Sequence, residues 1–152
     1  MQNKRLTEKL SEMQQKRSAL LATNFYNFET LKGIMLAASG QQQPVILQLT
    51  RSSIEYMGLN VAVNMARTAL HQYGVEGWIH LDHGDSYELV QECLDAGFDS
   101  VMIDASEKSL EENIAITKKV VQLAAGYKAN VEAELGYVAK LGQSKEKTGF
   151  TD

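Results

Sequence analysis

Short apolar runs alternate along the chain with longer segments in which apolar residues recur every three to four positions. The runs predict strands buried on both faces, as in a parallel sheet, and the longer segments predict amphipathic helices. Gly40, Gly74 and Gly126 are expected to end helices, and Ser109 with Glu112 forms a capping-box pattern. The predicted strands are 19–25, 44–50, 77–82, 100–104 and 130–135, the predicted helices are 2–15, 28–38, 60–73, 86–96 and 109–125, and 51–58 and 136–152 are predicted loops.

The alternation of strand and helix predicts an α/β fold with right-handed βαβ crossovers and a parallel sheet. Two architectures remain open at this point: an open doubly wound sheet, or part of an eight-stranded TIM barrel. No glycine-rich phosphate loop of the GxGxxG or Walker type follows the first predicted strand. This absence weakens the case for nucleotide binding.

Each predicted strand carries a polar residue at or next to its carboxyl end. In parallel α/β folds, functional residues collect at the carboxyl ends of the strands. Neighbouring residues of a strand face opposite sides, so two adjacent polar residues can share a site only where their strand is ending. The residues at these ends are Asn24, Thr50, Asp82 with His83, Asp104 and Glu134.

One histidine with several carboxylates fits a borderline divalent metal such as zinc, and fits cobalt or manganese less well. The structural alternative is that Asp82 and Asp104 cap the helices that follow them and that His83 is an ordinary buried histidine. Two further histidines are predicted elsewhere, with His71 exposed on a helix and His80 in the core or behind the site.

The composition of the chain limits the classes of protein to which it can belong. The chain of 152 residues is 44% hydrophobic and 22% charged, as expected for one ordinary globular domain. Its net charge of −4 argues against nucleic acid as a partner. No apolar run is long enough to predict a membrane span, and the N-terminus lacks the apolar core of a signal peptide. Cys93 is the only cysteine and is expected to be a buried, inert thiol. The expected location is the cytoplasm.

Four linked motifs resemble the class II ketose-bisphosphate aldolases, the metal-dependent fructose- and tagatose-1,6-bisphosphate aldolases. The resemblance covers essentially the whole chain from about residue 4, and it takes in Asn24 and Tyr56-Met57-Gly58. The motifs occur in the order and spacing of the family, and they are His80-Leu81-Asp82-His83-Gly84, Ser100-Val101-Met102-Ile103-Asp104-Ala105-Ser106, Glu111-Glu112-Asn113 and Val131-Glu132-Ala133-Glu134-Leu135-Gly136.

The resemblance implies a (βα)₈ TIM barrel, of which residues 1–152 are the N-terminal part of one domain with about the first five βα units. It implies zinc-dependent, reversible cleavage of a ketose bisphosphate to dihydroxyacetone phosphate and glyceraldehyde 3-phosphate. Asp82 matches the proton donor, and His83 matches one of three histidine ligands of the catalytic zinc. The resemblance assigns the remaining candidates as follows: Asp104 and Glu134 to a second divalent metal position, and Asn24 and Thr50 to substrate contacts.

The chain departs from the family in two ways. The other two zinc histidines and the phosphate-binding loops belong to later strands, so the 152-residue chain is expected to be inactive alone. It is expected to associate with the missing C-terminal half or with copies of itself. Where many members carry paired acids after Glu134, Glu146 is the only acid of residues 136–147. Either Glu146 is the general base from a shifted position, or the base lies elsewhere. The alternatives are a non-catalytic barrel fragment acting as a structural or interaction module, and another metal-dependent barrel lyase or isomerase.

Overall fold

The structure, a computed structural model, describes residues 5–136. Strands and helices alternate from β1 onwards, as the apolar pattern predicts. The elements in chain order are α1 Leu6–Gln15, β1 Leu21–Asn24, α2 Phe28–Gln41, β2 Val45–Leu49, α3 Arg51–Met57, α4 Leu59–Tyr73, β3 Gly77–Gly84, α5 Tyr87–Asp95, β4 Ser100–Ile103, α6 Leu110–Tyr127 and β5 Asn130–Ala133.

The five strands form one parallel sheet in the order β1-β2-β3-β4-β5. A doubly wound sheet reverses its strand order at a switch point, whereas the strands of an α/β barrel follow one another in sequence. The observed order therefore decides between the two architectures in favour of a barrel, of which the described residues form an arc.

The two faces of the sheet differ in chemistry. One face packs apolar side chains such as Leu47, Ile79 and Val101 into the main core, together with buried residues of the helices. Alternate positions turn to the opposite face. On β3 these positions hold His80 and Asp82, so the face that lines the interior of a barrel carries ionisable groups.

Helix α1 lies across the amino ends of the strands, at the edge opposite the polar strand ends. Lys9 pairs with Glu76, which precedes β3, at 2.7 Å, and the Thr7 hydroxyl lies 2.5 Å from Oδ1 of Asn130, the first residue of β5. Leu6 is buried. The amphipathic N-terminal helix therefore covers the end of the arc away from the candidate site.

The predicted loop 51–58 and the predicted ends of two helices were wrong, and several predicted strand ends differ by one or two residues. Residues 51–58 form α3 rather than a loop, because Thr50 accepts a hydrogen bond from the Ser53 amide and Ile54 is buried. Helices α2 and α6 also continue past the glycines expected to end them. Each ends instead at a non-glycine residue in the left-handed conformation, Gln42 (φ 52°) and Lys128 (φ 59°). A single glycine weakens a helix without stopping it.

The predictions for α4 and for the start of α6 are confirmed. Gly74 follows α4 in the left-handed conformation (φ 63°). Ser109 and Glu112 form the capping box of α6, in which the Glu112 carboxylate accepts from the Ser109 amide at 3.1 Å. These two signals depend only on local backbone geometry, which explains why the sequence pattern is reliable here.

Cys93 is fully buried in the core, as predicted. Burial raises the pKa of its thiol to about 12, so the thiol is inert at neutral pH. Within residues 5–136, no helix combines the length and the apolar character needed to cross a membrane. The cytoplasmic location stays a prediction.

Candidate metal and catalytic site

Three ionisable side chains meet at the carboxyl edge of the sheet. His83 lies at the end of β3, Asp104 directly follows β4, and Glu134 directly follows β5. Nδ1 of His83 is 3.1 Å from Oδ2 of Asp104 and 3.3 Å from Oε2 of Glu134. The three potential ligand atoms all lie within 4.8 Å of one another. We call His83, Asp104 and Glu134 the ligand cluster.

An irregular end of β3 turns His83 towards this cluster. The register between β3 and β4 shifts between Leu81 and Gly84, and His83 has a left-handed backbone (φ 52°) that is uncommon outside glycine. Gly84 lets the two strands approach closely, and its carbonyl accepts a hydrogen bond of 2.8 Å from the Asp104 amide. The strand irregularity therefore positions His83 and Asp104 together.

The charges of the cluster stabilise one another. A hydrogen bond to the Asp104 carboxylate, with further attraction from Asp82 and Glu134, raises the pKa of His83. Burial alone would raise the pKa of Asp104, but hydrogen bonds from Ser106 and His83 outweigh it and lower that pKa. Asp104 is therefore held as a carboxylate, the form that binds a cation.

One atom of the cluster is buried without a hydrogen-bond partner. Oε2 of Glu134 is inaccessible to solvent and accepts no hydrogen bond in the structure. Nδ1 of His83 lies 3.3 Å away, an ion-pair contact that does not meet hydrogen-bond geometry. A buried carboxylate oxygen that accepts no hydrogen bond is costly, and a bound cation lowers that cost. One imidazole nitrogen and two carboxylate oxygens are a donor set that suits zinc and related divalent metals. The residues present therefore fit a metal ion.

Asp82 lies beside the cluster with both carboxylate oxygens facing amide groups. The Asn24 side chain donates to Oδ2 at 2.8 Å, and the Gln48 amide lies 3.5 Å from Oδ1. Nε2 of His83 is 3.9 Å from Oδ1. Asp82 is half-buried. Side chains of β1 and β2 thus orient the Asp82 carboxylate, and the Asp82 side chain stays 18% exposed.

Gln48 is a site residue that the sequence analysis missed. It lies within the apolar strand β2, on the face that carries His80, its register partner on β3. A polar residue at an interior-facing position of an otherwise apolar strand is the signal that could have identified it. The sequence prediction was based on polar residues at strand ends, and Gln48 lies two residues before the predicted end at Thr50.

The structure also resolves the capping alternative. Ser86 caps α5 and Ser109 caps α6, so capping accounts for neither Asp82 nor Asp104. Thr50, in contrast, is a helix cap, and its hydroxyl lies 2.9 Å from that of Ser53. The Thr50 hydroxyl contacts Ser52 and Ser53, which lie in the first turn of α3. Glu146 lies outside the described residues.

His80 is buried behind the site, as predicted. Its Nδ1 lies 2.8 Å from the Ser100 hydroxyl, and its Nε2 lies 3.5 Å from Oε2 of Glu132. Burial lowers the pKa of His80, so the imidazole is neutral at neutral pH. His71 is exposed on α4, also as predicted.

The fold and the site together define an α/β-barrel protein with a metal-type ligand cluster at the carboxyl ends of its strands. The profile of the family described as "Fructose-bisphosphate aldolase class-II" matches residues 4–152. The chain belongs to this family, which confirms the resemblance noted in its motifs.

Individual relatives agree with the family match. The fructose-bisphosphate aldolase of Helicobacter pylori (strain ATCC 700392 / 26695) is 43% identical over 116 residues, covering 76% of this chain and 38% of that protein. The fructose-bisphosphate aldolase of Geobacillus stearothermophilus is 40% identical over 147 residues, covering 95% of this chain and 50% of that protein. The chain therefore spans half or less of the length of these relatives.

A solved structure supports the fold. The crystal structure of the YdjI aldolase from Escherichia coli K12 superposes with a TM-score of 0.78 at 31% sequence identity. The match covers 84% of this chain and 49% of the other. The prediction that the chain forms an arc of a TIM barrel is confirmed.

Proposed function

We propose that residues 1–152 form the N-terminal part of a single TIM-barrel domain that carries out metal-dependent aldol chemistry. The reaction is reversible cleavage of fructose or tagatose 1,6-bisphosphate to dihydroxyacetone phosphate and glyceraldehyde 3-phosphate. The observation that carries the proposal is the ligand cluster, whose three donor atoms lie within 4.8 Å of one another beside Asp82. Family membership supplies the class of reaction.

His83, Asp104 and Glu134 are the residues that would hold the metal, with Zn²⁺ as the proposed ion and a second divalent position involving the two carboxylates. A bound divalent metal supplies a Lewis acid that stabilises negative charge developing on substrate oxygens. The buried Oε2 of Glu134, which accepts no hydrogen bond, and the carboxylate form of Asp104 support this assignment.

Asp82 is proposed to exchange the proton of the substrate hydroxyl during cleavage and condensation. Such a group must hold a fixed position within hydrogen-bond reach of the reacting oxygen. The amide of Asn24, and that of Gln48 at longer range, hold the carboxylate from one side and leave the open edge of the sheet to substrate. Orientation of a reacting group in this way contributes to catalysis by proximity.

The remaining assignments depend on the family resemblance. Asn24 and Thr50 are proposed to contact the substrate, and Glu146 to act as general base on the triose carbon. Asn24 already lies at the site through Asp82. Because the ligand cluster contains a single histidine, the 152-residue chain alone is proposed to be inactive until further strands complete the barrel.

The test is a complementation assay. The chain is produced alone and together with the C-terminal half of the Geobacillus stearothermophilus relative, and cleavage of each sugar bisphosphate is followed by a coupled assay. The proposal expects turnover only in the completed barrel, its loss on chelation of metal, and its loss in Asp82→Asn. Turnover that survives chelation or Asp82→Asn would contradict it.

The same assay distinguishes a non-catalytic role. A complemented barrel that assembles and binds zinc but cleaves neither sugar would favour a structural or interaction module. Normal turnover by the isolated chain would contradict the proposed inactivity. His83→Gly is the matched variant for the metal, since glycine removes the imidazole and accepts the left-handed backbone at this position.

A further inference from the structure

We propose that Asn113 is a positioning residue that holds the metal ligand Glu134 in place. The inference rests on the proposed metal function of Glu134 and assigns a role to a motif residue that the site description has not used. Asn113 lies on α6 and is 7% exposed, which is unusual for an asparagine. A buried amide of this kind requires hydrogen-bond partners.

Glu134 lies beyond the end of its strand. The last paired residues of β4 and β5 are Ile103 and Ala133, so Glu134 is not itself a paired residue of the sheet. Nδ2 of Asn113 donates to the Glu134 carbonyl at 2.9 Å. This bond joins the second turn of α6 to the backbone that carries the ligand, 21 residues further along the chain.

Asn113 is itself held in one orientation. The Thr117 hydroxyl donates to Oδ1 of Asn113 at 3.2 Å, which directs the NH₂ group to Glu134. The backbone amide of Asn113 donates to the Ser109 carbonyl at 2.9 Å, within the turn that the capping box stabilises. The Asn113 side chain therefore projects from a helical turn that these bonds stabilise. A positioning residue requires such support.

Glu134 and Asp104 are held by different means. The Asp104 backbone is held by a main-chain bond from its amide to the Gly84 carbonyl. The Glu134 carbonyl, in contrast, accepts its hydrogen bond from a side chain, that of Asn113. The geometry of the ligand cluster therefore depends on the identity of residue 113, although Asn113 is not among the ligands.

The test measures the dissociation constant of Zn²⁺ by calorimetry on the completed barrel of the complementation assay, with each substitution made in the 152-residue chain. Asn113→Ala is expected to weaken binding by about 10- to 100-fold, the usual effect of losing a residue that orients a ligand. Asn113→Leu removes the donor while filling the same space, in case the alanine variant folds poorly. Asn64→Ala is the control, since Asn64 also donates its amide to a carbonyl, that of Asn60 at 2.8 Å, but within α4.

A double-mutant cycle separates positioning from general loss of structure. If Asn113 acts through Glu134, the alanine substitution at 113 should change zinc affinity in the wild-type background and have no further effect in Glu134→Ala. The absorption spectrum of bound Co²⁺ should change in the Asn113 variants and stay unchanged in Asn64→Ala, because it reports ligand geometry directly.

The outcomes distinguish the two proposals. Wild-type zinc affinity in both Asn113 variants, with tight wild-type binding that depends on Glu134, would overturn the positioning role and leave the metal site intact. A completed wild-type barrel that binds no zinc, or binds it equally in Glu134→Ala, would overturn the metal assignment and the positioning role with it. Equal loss of affinity in Asn64→Ala would also overturn the specific role of Asn113.

Discussion

Gly84→Ala tests whether the close approach of β3 and β4 builds the site. A Cβ atom at Gly84 would lie 2.6 Å from the backbone oxygen of Met102 and 2.7 Å from Cδ2 of Leu81. Ordinary contacts begin at 3.4 Å, so the two strands must separate by the difference of 0.8 Å unless the backbone rotates. Leu81 can adjust its rotamer, but the Met102 carbonyl belongs to the backbone and cannot move alone.

The expected loss of stability in Gly84→Ala has two parts. Overpacking of this kind costs about 1–3 kcal/mol. Separation of the strands also weakens the bond from the Asp104 amide to the Gly84 carbonyl, which is worth about 1 kcal/mol. We expect the free energy of unfolding to fall by about 2–4 kcal/mol. Zinc affinity should fall as well, because Asp104 moves with the strand.

The assay is urea unfolding of the variant and of a matched control, Gly33→Ala. Gly33 lies inside α2, where an added Cβ meets nothing within 4 Å, so alanine should stabilise the protein by about 0.5–1 kcal/mol. A Gly84→Ala variant as stable as the wild type, with unchanged zinc affinity, would refute the argument. Equal destabilisation by both substitutions would show that the contact with Met102 is not the cause.

Three further predictions concern stability and catalysis. The pKa of Cys93 is raised from 9.0 to about 12, so the folded protein holds this proton more tightly and stability must fall as pH rises above 9. Between pH 8 and 10 the wild type should lose about 1.4 kcal/mol more than Cys93→Ala, and parallel pH curves in thermal unfolding would contradict this. Ser109→Ala removes the cap that pairs with Glu112 and should cost about 1 kcal/mol in urea unfolding, and an unchanged midpoint would count against it. Asn24→Leu removes the donor that orients Asp82 and should lower kcat of the completed barrel by about 10-fold or more with intact zinc content, whereas an unchanged kcat would mean that this bond does not position the acid.

The arc of the barrel was predictable because its signals are repeated and local. Five apolar runs alternate with helical periodicity, and each strand end carries a polar residue, so the sequential parallel order follows from simple topology rules. Caps such as Ser109 are equally local. The helix boundaries at Gly40 and Gly126 were wrong because tertiary packing carries a helix through one unfavourable residue.

The site was predictable only in part. The residues that meet at the strand ends could be found by position, since parallel strands bring their carboxyl ends to one edge. Gln48 and Asn113 could not be found this way, because their roles depend on side-chain hydrogen bonds to residues 34 and 21 positions away. The left-handed backbone of His83 arises from a shift in strand register that only the folded sheet reveals.

The most direct test of the account is the position of the metal. Anomalous diffraction at the zinc edge, from crystals of the completed barrel grown with Zn²⁺, should show a peak about 2.0–2.2 Å from Nδ1 of His83 and from a carboxylate oxygen of Asp104 and of Glu134. That result would establish the ligand cluster as a metal site. A peak bound by other residues, or no peak at this edge of the sheet under saturating zinc, would contradict the central claim.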